Sequence, residues 1–242
     1  MSASLKSLDG KRVVVIGGAS GIGFAVAAAA LEEGARVVIA SSQEANVQAA
    51  TARLGGGATG SAVDVSDEAS VAGFFEWLGP FDHLAFTAGD WGGSMFAPAR
   101  DLDLATAQAG FAVRFWGALA VVKHGCRTIA DGGSITLTGG MLAHRPMKGA
   151  PVVTAVAGAI EHLARGLAVD LAPIRVNAVC PGIVLTERTK QLPEDLLRTL
   201  TARLPLPRGA DPAEAAEAYL YLMRGGYTTG QVLWVDGGGA VV

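Results

Sequence analysis

Seven short apolar runs recur along the chain at regular intervals: Val13–Ile16, Val37–Ala40, Ala62–Val65, Leu84–Thr87, Ile135–Thr138, Val176–Val179 and Val232–Val235. Each is a few residues long, many are rich in β-branched side chains, and each is bounded by Gly, Asp or Pro. Such runs do not alternate polar with apolar, so both faces of each strand must be covered. That is the pattern of parallel strands buried between two layers. Between the runs lie alanine- and leucine-rich stretches at helical spacing, at about 22–33, 44–54, 68–78, 101–129, 151–171 and 212–224. Strands alternating with helices predict an α/β fold, a doubly wound parallel seven-stranded sheet of the Rossmann type with helices on both faces. No linker, repeat or low-complexity tract interrupts it, so residues 1–242 are expected to form one domain. The segment 183–211 breaks the rhythm with Pro193, Pro205 and Pro207, and is expected to be a flap over a substrate cleft.

The first strand runs into Gly17-Gly18-Ala19-Ser20-Gly21-Ile22-Gly23 and then an alanine-rich helix. Glycines at 17, 21 and 23 let a backbone approach a pyrophosphate, and the helix start offers unpaired N–H groups and the positive end of a dipole. The other reading is a glycine-rich turn that holds nothing. The chain carries 33 glycines, about twice the usual share of roughly 7%, and they fall at turns as tight α/β connections require. The second strand ends at Ser41-Ser42. An acid there would accept bonds from a ribose 2′-OH and repel a 2′-phosphate. Serines favour NADP(H) over NAD(H), unless they merely cap the next helix.

Several motifs in order resemble those of the short-chain dehydrogenase/reductase family, over residues 8 to 240. They are the glycine turn, Asp64-Val65, Thr87-Ala88-Gly89, Arg175-Val176-Asn177-Ala178-Val179-Cys180-Pro181-Gly182, Thr186, and Gly230-Gln231-Val232-Leu233-Trp234-Val235-Asp236-Gly237-Gly238. The resemblance implies cofactor contacts from Gly17, Ser20, Gly21, Ile22 and Gly23, from Ser41 and Ser42, and from Asp64 and Val65. It implies further contacts from Ala88, Gly89, Pro181, Gly182 and Ile183, with Thr186 holding the nicotinamide carboxamide.

The family's chemistry rests on Asn, Ser, Tyr and Lys. Aligned on Gly133–Thr138 and Gly158–Glu161, those places fall on Arg114, Gly140, Val153 and Ala157. No shift of register restores the Tyr-Lys pair, because the three tyrosines, Tyr219, Tyr221 and Tyr227, have Met223, Gly225 and Gln231 four residues on. Replacement donors are sought in the loop 141–150, where His144, Arg145 and Lys148 stand. His144 is the best proton source near neutral pH, and the alternative is a solvated loop. Arg114 either binds an anionic substrate group or pairs with an acid such as Asp90. Asp90-Trp91-Gly92-Gly93 either walls the nicotinamide pocket or forms a capping turn. Thr138 and Thr154 stand near the lost pair but are poor acids. His83, His124 and His162 are expected to be packing or surface residues.

Two function classes remain. One is an NADP-dependent oxidoreductase with an altered site, acting on a small carbonyl, alcohol or related substrate. The other is a cofactor-binding protein without catalysis, serving as sensor, partner subunit or scaffold. Low charge content, 17%, and a net charge of −3 argue against nucleic-acid and anionic-membrane surfaces. Residues 1–12 show no signal-peptide pattern and no stretch approaches a membrane span, so a cytoplasmic protein is expected. Cys126 and Cys180 are expected to be ordinary buried thiols. No His, Cys and Asp spacing suggests a metal, and no Ser-His-Asp set suggests itself. In the resembled family, helices equivalent to 101–129 and 151–171 pair across subunits, which implies a homotetramer or homodimer.

Overall fold

The computed structural model describes residues 7–89 and 95–242. Seven strands, β1 (Arg12–Ile16), β2 (Arg36–Ser41), β3 (Ala58–Ala62), β4 (Phe81–Phe86), β5 (Ile129–Thr138), β6 (Arg175–Pro181) and β7 (Val232–Val235), form one sheet. Its order is β3-β2-β1-β4-β5-β6-β7, and every pairing is parallel. The helices are α1 (Gly21–Glu32), α2 (Glu44–Leu54), α3 (Glu68–Leu78), α4 (Leu104–Phe111), α5 (Gly117–Gly125), α6 (Pro151–Asp170), α7 (Glu194–Thr201) and α8 (Pro212–Arg224).

The unbroken apolar runs are explained by two cores, one on each face of the sheet. Val14 and Ile16 of β1 turn to one face, where they meet Phe74 of α3, Val121 of α5 and Ile160 of α6. Their neighbours Val13 and Val15 turn to the other, against Val26 of α1, Val47 of α2 and Leu220 of α8. Each fully buried Val, Leu or Ile contributes about 1.5–3 kcal/mol, so both faces must be apolar for the sheet to hold two helical layers.

The third strand was expected at 62–65 and lies at 58–62 instead. It is an edge strand with one neighbour, so Ala-Thr-Gly-Ser-Ala needs no apolar run to pair. Val63 and Val65, which carried the expectation, turn into the core beyond the ladder. The stretch 101–129 also differs. It starts as α4, opens into a π-turn at Ala112–Trp116, and continues as α5. Contrary to the sequence expectation, helix 104–125 and α6 are long and apolar enough to cross a membrane by length and composition. Both instead contribute residues to the core beneath the sheet face.

One hydrogen-bonded chain ties α8 to the sheet. Thr138 Oγ1 donates to the Phe86 carbonyl at 2.6 Å, and Tyr219 Oη lies 2.6 Å from the same Oγ1. The threonine has one proton and spends it on Phe86, so Tyr219 is the donor to Thr138. Arg175 of β6 donates to the carbonyls of Leu222 and Met223 at the last turn of α8, satisfying orphan acceptors there.

Candidate functional site

The carboxyl ends of β1, β4, β5 and β6 define one edge of the sheet, where open parallel sheets bind ligands. At β1 the chain turns through Gly17, with φ +87°, and Gly21, with φ +53°, into α1. A Cβ on Gly17 would stand 2.5 Å from Ala88 N, and one on Gly23 would stand 2.3 Å from Gly17 O and 2.4 Å from Thr87 Oγ1. The glycines are therefore required by the contact between this turn and the Thr87-Ala88-Gly89 segment. Thr87 fixes that contact, its hydroxyl donating to Ile16 O at 3.0 Å. Ser20 is the N-cap of α1 but makes no side-chain capping bond. The Gly21 N–H at the helix start donates to Glu187 Oε2 at 3.3 Å, and Thr186 lies against Gly21. A carboxylate thus stands at the amide that a pyrophosphate would use. Sequence reasoning missed Glu187, whose only signal is that it follows Thr186.

Ser41 and Ser42 lie at the end of β2. The N-cap of α2 is Gln43, without a side-chain bond, so the serines do not cap it. Glu44, three residues past Ser41, is committed to the Ala62 N–H and to Gln48. Asp64 accepts from the N–H and hydroxyl of Ser66, and these bonds hold its carboxyl below the usual range. Val65 is buried under Gly117. On the far side, Gly182 leaves β6 beside Asp236, where a Cβ would stand 2.8 Å from its Cα. Ile183 and Val184 start the segment 183–211, which bridges back at Ala210 and carries α7.

Arg114 stands in the π-turn, is 3% exposed, and donates through Nη2 to Gly89 O at 2.8 Å. A Cβ on Gly89 would stand 2.7 Å from Arg114 Cγ, so the bare glycine admits the guanidinium. Burial pulls the Arg114 pKa down to about 9, which leaves it charged at neutral pH. Asp90, its alternative partner, and Trp91, Gly92 and Gly93 lie outside the described residues. On α6, Val153 and Ala157 are both buried, and the helix contains neither Tyr nor Lys. Gly140 ends the β5 exit and starts the loop to α6. Beside Val152 lies an apolar groove of about 400 Å³ lined by Leu104, Ala107, Gln108, Phe111 and Trp116.

His144 does not stand free over the cleft. Its Nε2 lies 2.8 and 3.0 Å from the two carboxylate oxygens of Glu161, and its ring packs against Trp234, tilted by 40° at 4.3 Å between centroids. Glu161 is 1% exposed and is reached also by the thiol of Cys180. The structure thus gathers three metal-type donors although the sequence spacing suggested none. Arg145 and Lys148 are exposed on the loop. Cys126 is only half-buried, against expectation, because α5 ends there at the surface. His83 packs inside, Nδ1 to Ser134 Oγ at 2.9 Å, while His124 and His162 meet Glu68 and Gly158 O.

The family model described as Enoyl-(Acyl carrier protein) reductase matches residues 17–239. A short-chain dehydrogenase/reductase of Acremonium sp is 35% identical, with 97% of each chain covered. A crystal structure of a small-chain dehydrogenase in complex with NADPH shares 37% identity at a TM-score of 0.83, covering 97% of this chain and 100% of the other. The MalC Reductase/Diels-Alderase from Malbranchea aurantiaca shares 33% identity at a TM-score of 0.90, covering 97% and 98%. The sheet order, the glycine turn and these likenesses place the chain in the short-chain dehydrogenase/reductase family. It is thereby an oxidoreductase-type protein by family.

Proposed function

We propose that this chain is an NADP(H)-dependent reductase whose acceptor takes hydride without a proton from the protein. The observation that supports the reading is that α6 contains neither Tyr nor Lys and that its Val153 and Ala157 are buried and apolar; the sequence alignment puts these two, with Gly140, at the positions of the family's Tyr, Lys and Ser. The residues fit the dinucleotide. Gly17 and Gly23 let the turn close on Thr87-Ala88-Gly89, the start of α1 offers its N–H groups to a pyrophosphate, and Ser41 and Ser42 offer hydroxyls, unused in capping, to a 2′-phosphate. A solved relative carries NADPH, which supports the same choice. The nicotinamide, when bound, supplies hydride. The protein contributes apolar walls that exclude water and one fixed cation, Arg114, at Gly89.

Hydride addition to a neutral ketone leaves an alkoxide that needs an acid, and general acid catalysis is worth about 10²–10⁴-fold. Conjugated alkenes leave an enolate, which a buried guanidinium stabilises until solvent protonates its α-carbon as the product leaves, and iminium ions leave a neutral amine. Acceptors of these two kinds fit the site. NADPH oxidation should be followed with a conjugated enoyl thioester, a cyclic iminium and a simple ketone. Turnover of the first or second, at least about 10²-fold above the ketone, is expected. Equal turnover of the ketone overturns the reading. Tight NADPH binding with no turnover of any acceptor favours a cofactor-bound sensor or scaffold. Ser41→Asp should weaken NADPH more than NADH, because it sets a carboxylate against the 2′-phosphate. The exposed Leu104 and Trp116 on the α4–α6 face support self-association as a homodimer or homotetramer. Light scattering of Trp116→Glu checks this.

A further inference from the structure

His144 follows β5, Glu161 stands on α6 one turn past Ala157, and Cys180 lies near the end of β6. One donor atom from each lies within 4.8 Å of the other two. We propose that these three side chains bind a zinc-class divalent cation through imidazole Nε2, carboxylate oxygen and thiolate, leaving one coordination position open.

The donor set selects the ion. Thiolate and imidazole suit borderline ions such as Zn²⁺ and Co²⁺, whereas Mg²⁺ and Ca²⁺ require oxygen ligands. The charges also match. A thiolate and a carboxylate with a neutral imidazole sum to two negative charges, which a divalent ion cancels. This matters because Glu161 and Cys180 are each 1% exposed, and uncompensated charge in such a place is costly.

The surroundings resemble an outer shell. The Gly140 N–H points at Cys180 Sγ, the donor that steadies a metal-bound thiolate. Trp234 packs against the His144 ring and limits its orientation. Gly139 leaves space for the carboxylate, since a Cβ there would stand 3.2 Å from Glu161 Cγ. Zinc bonds of about 2.0–2.3 Å place tetrahedral donors roughly 3.4–3.6 Å apart. The His144 to Glu161 contacts of 2.8 and 3.0 Å are hydrogen-bond lengths, so exchanging the shared proton for a cation requires a small outward step. His144 can take it, because it lies on a loop and its side chain is 29% exposed. Three protein donors with a free fourth position is the arrangement of reactive rather than purely structural zinc. The inference does not depend on the reduction proposed above and is tested without it.

The full chain, stripped with a chelator, should be titrated with Co²⁺ and followed by absorbance. Expected are a near-ultraviolet thiolate-to-cobalt charge-transfer band and visible bands of a four-coordinate ion, saturating at one equivalent and lost on adding Zn²⁺. Cys180→Ser should abolish the charge-transfer band, and Cys126→Ser should leave it. Glu161→Gln and His144→Ala should weaken Zn²⁺ by more than the about 10–100-fold that loss of an outer-shell partner costs. No charge-transfer band in the folded wild type overturns the proposal and leaves a hydrogen-bonded network. A band that survives Cys180→Ser and disappears in Cys126→Ser overturns it too. If Glu161→Gln does not fold, the two cysteine variants decide the matter.

Discussion

Arg114 Nη2 donates to the carbonyl oxygen of Gly89 across 2.8 Å, and a Cβ on Gly89 would collide with its side chain, so a buried cation is held at the carboxyl end of β4. Arg114→Met keeps the length and removes the charge. Its expected cost is about 1–3 kcal/mol of stability, from a carbonyl left unpaired, and roughly 10²–10³-fold in reductive turnover. Arg114→Lys should not restore the rate, because an ammonium lacks the planar fork. Denaturant titration and NADPH oxidation check the two effects separately.

Glu187 occupies the Gly21 amide at the start of α1, where the dipole favours an anion. Cofactor pyrophosphate must displace that carboxylate. Glu187→Gln should therefore tighten NADPH by about two- to fivefold, the equivalent of one such contact. Fluorescence titration measures it, and weaker binding in the variant contradicts the competition.

Burial pushes the His83 pKa down to about 4 from 6.5, against the pull of Asp82. The folded state holds the ring neutral while the unfolded chain takes up a proton from about pH 6.5 downward. Stability is thus full above pH 6.5 and is lost as pH falls toward 4, by up to about 3 kcal/mol. His83→Gln should flatten unfolding free energy over that window, which chemical denaturation at stepped pH will show.

Asp211 and Glu214 form a capping box on α8, Asp211 accepting from Ala213 N and Glu214 from Asp211 N. Asp211→Ala should cost about 1 kcal/mol. Thermal unfolding checks this, and an unchanged midpoint would mean that packing alone fixes the helix start.

What the sequence revealed follows burial. Val13–Ile16 and Val176–Val179 stand out because central strands are apolar on both faces, whereas Ala58–Ala62 pairs at an edge and carries no such mark. The glycine turn was legible because its φ values and close approaches admit no other residue. The π-turn around Arg114 was not, since an i to i+5 bond leaves no pattern in residue types. Nor were His144, Glu161 and Cys180 legible as a group. Residues 17 and 19 apart meet only through the register of β5 with β6 and the lie of α6. Hence His144, expected to face the cleft, is engaged with Glu161 instead.

The chain from Tyr219 through Thr138 to Phe86 passes from one helical layer to the strand end that leads into Thr87-Ala88-Gly89. Among the described α-helices, α8 comes latest in the chain. A nascent chain halted before residue 212 would contain every glycine of the turn yet lack the hydroxyl that anchors Thr138 from behind. The strand end behind the turn is therefore braced by a segment that contributes no glycine to it.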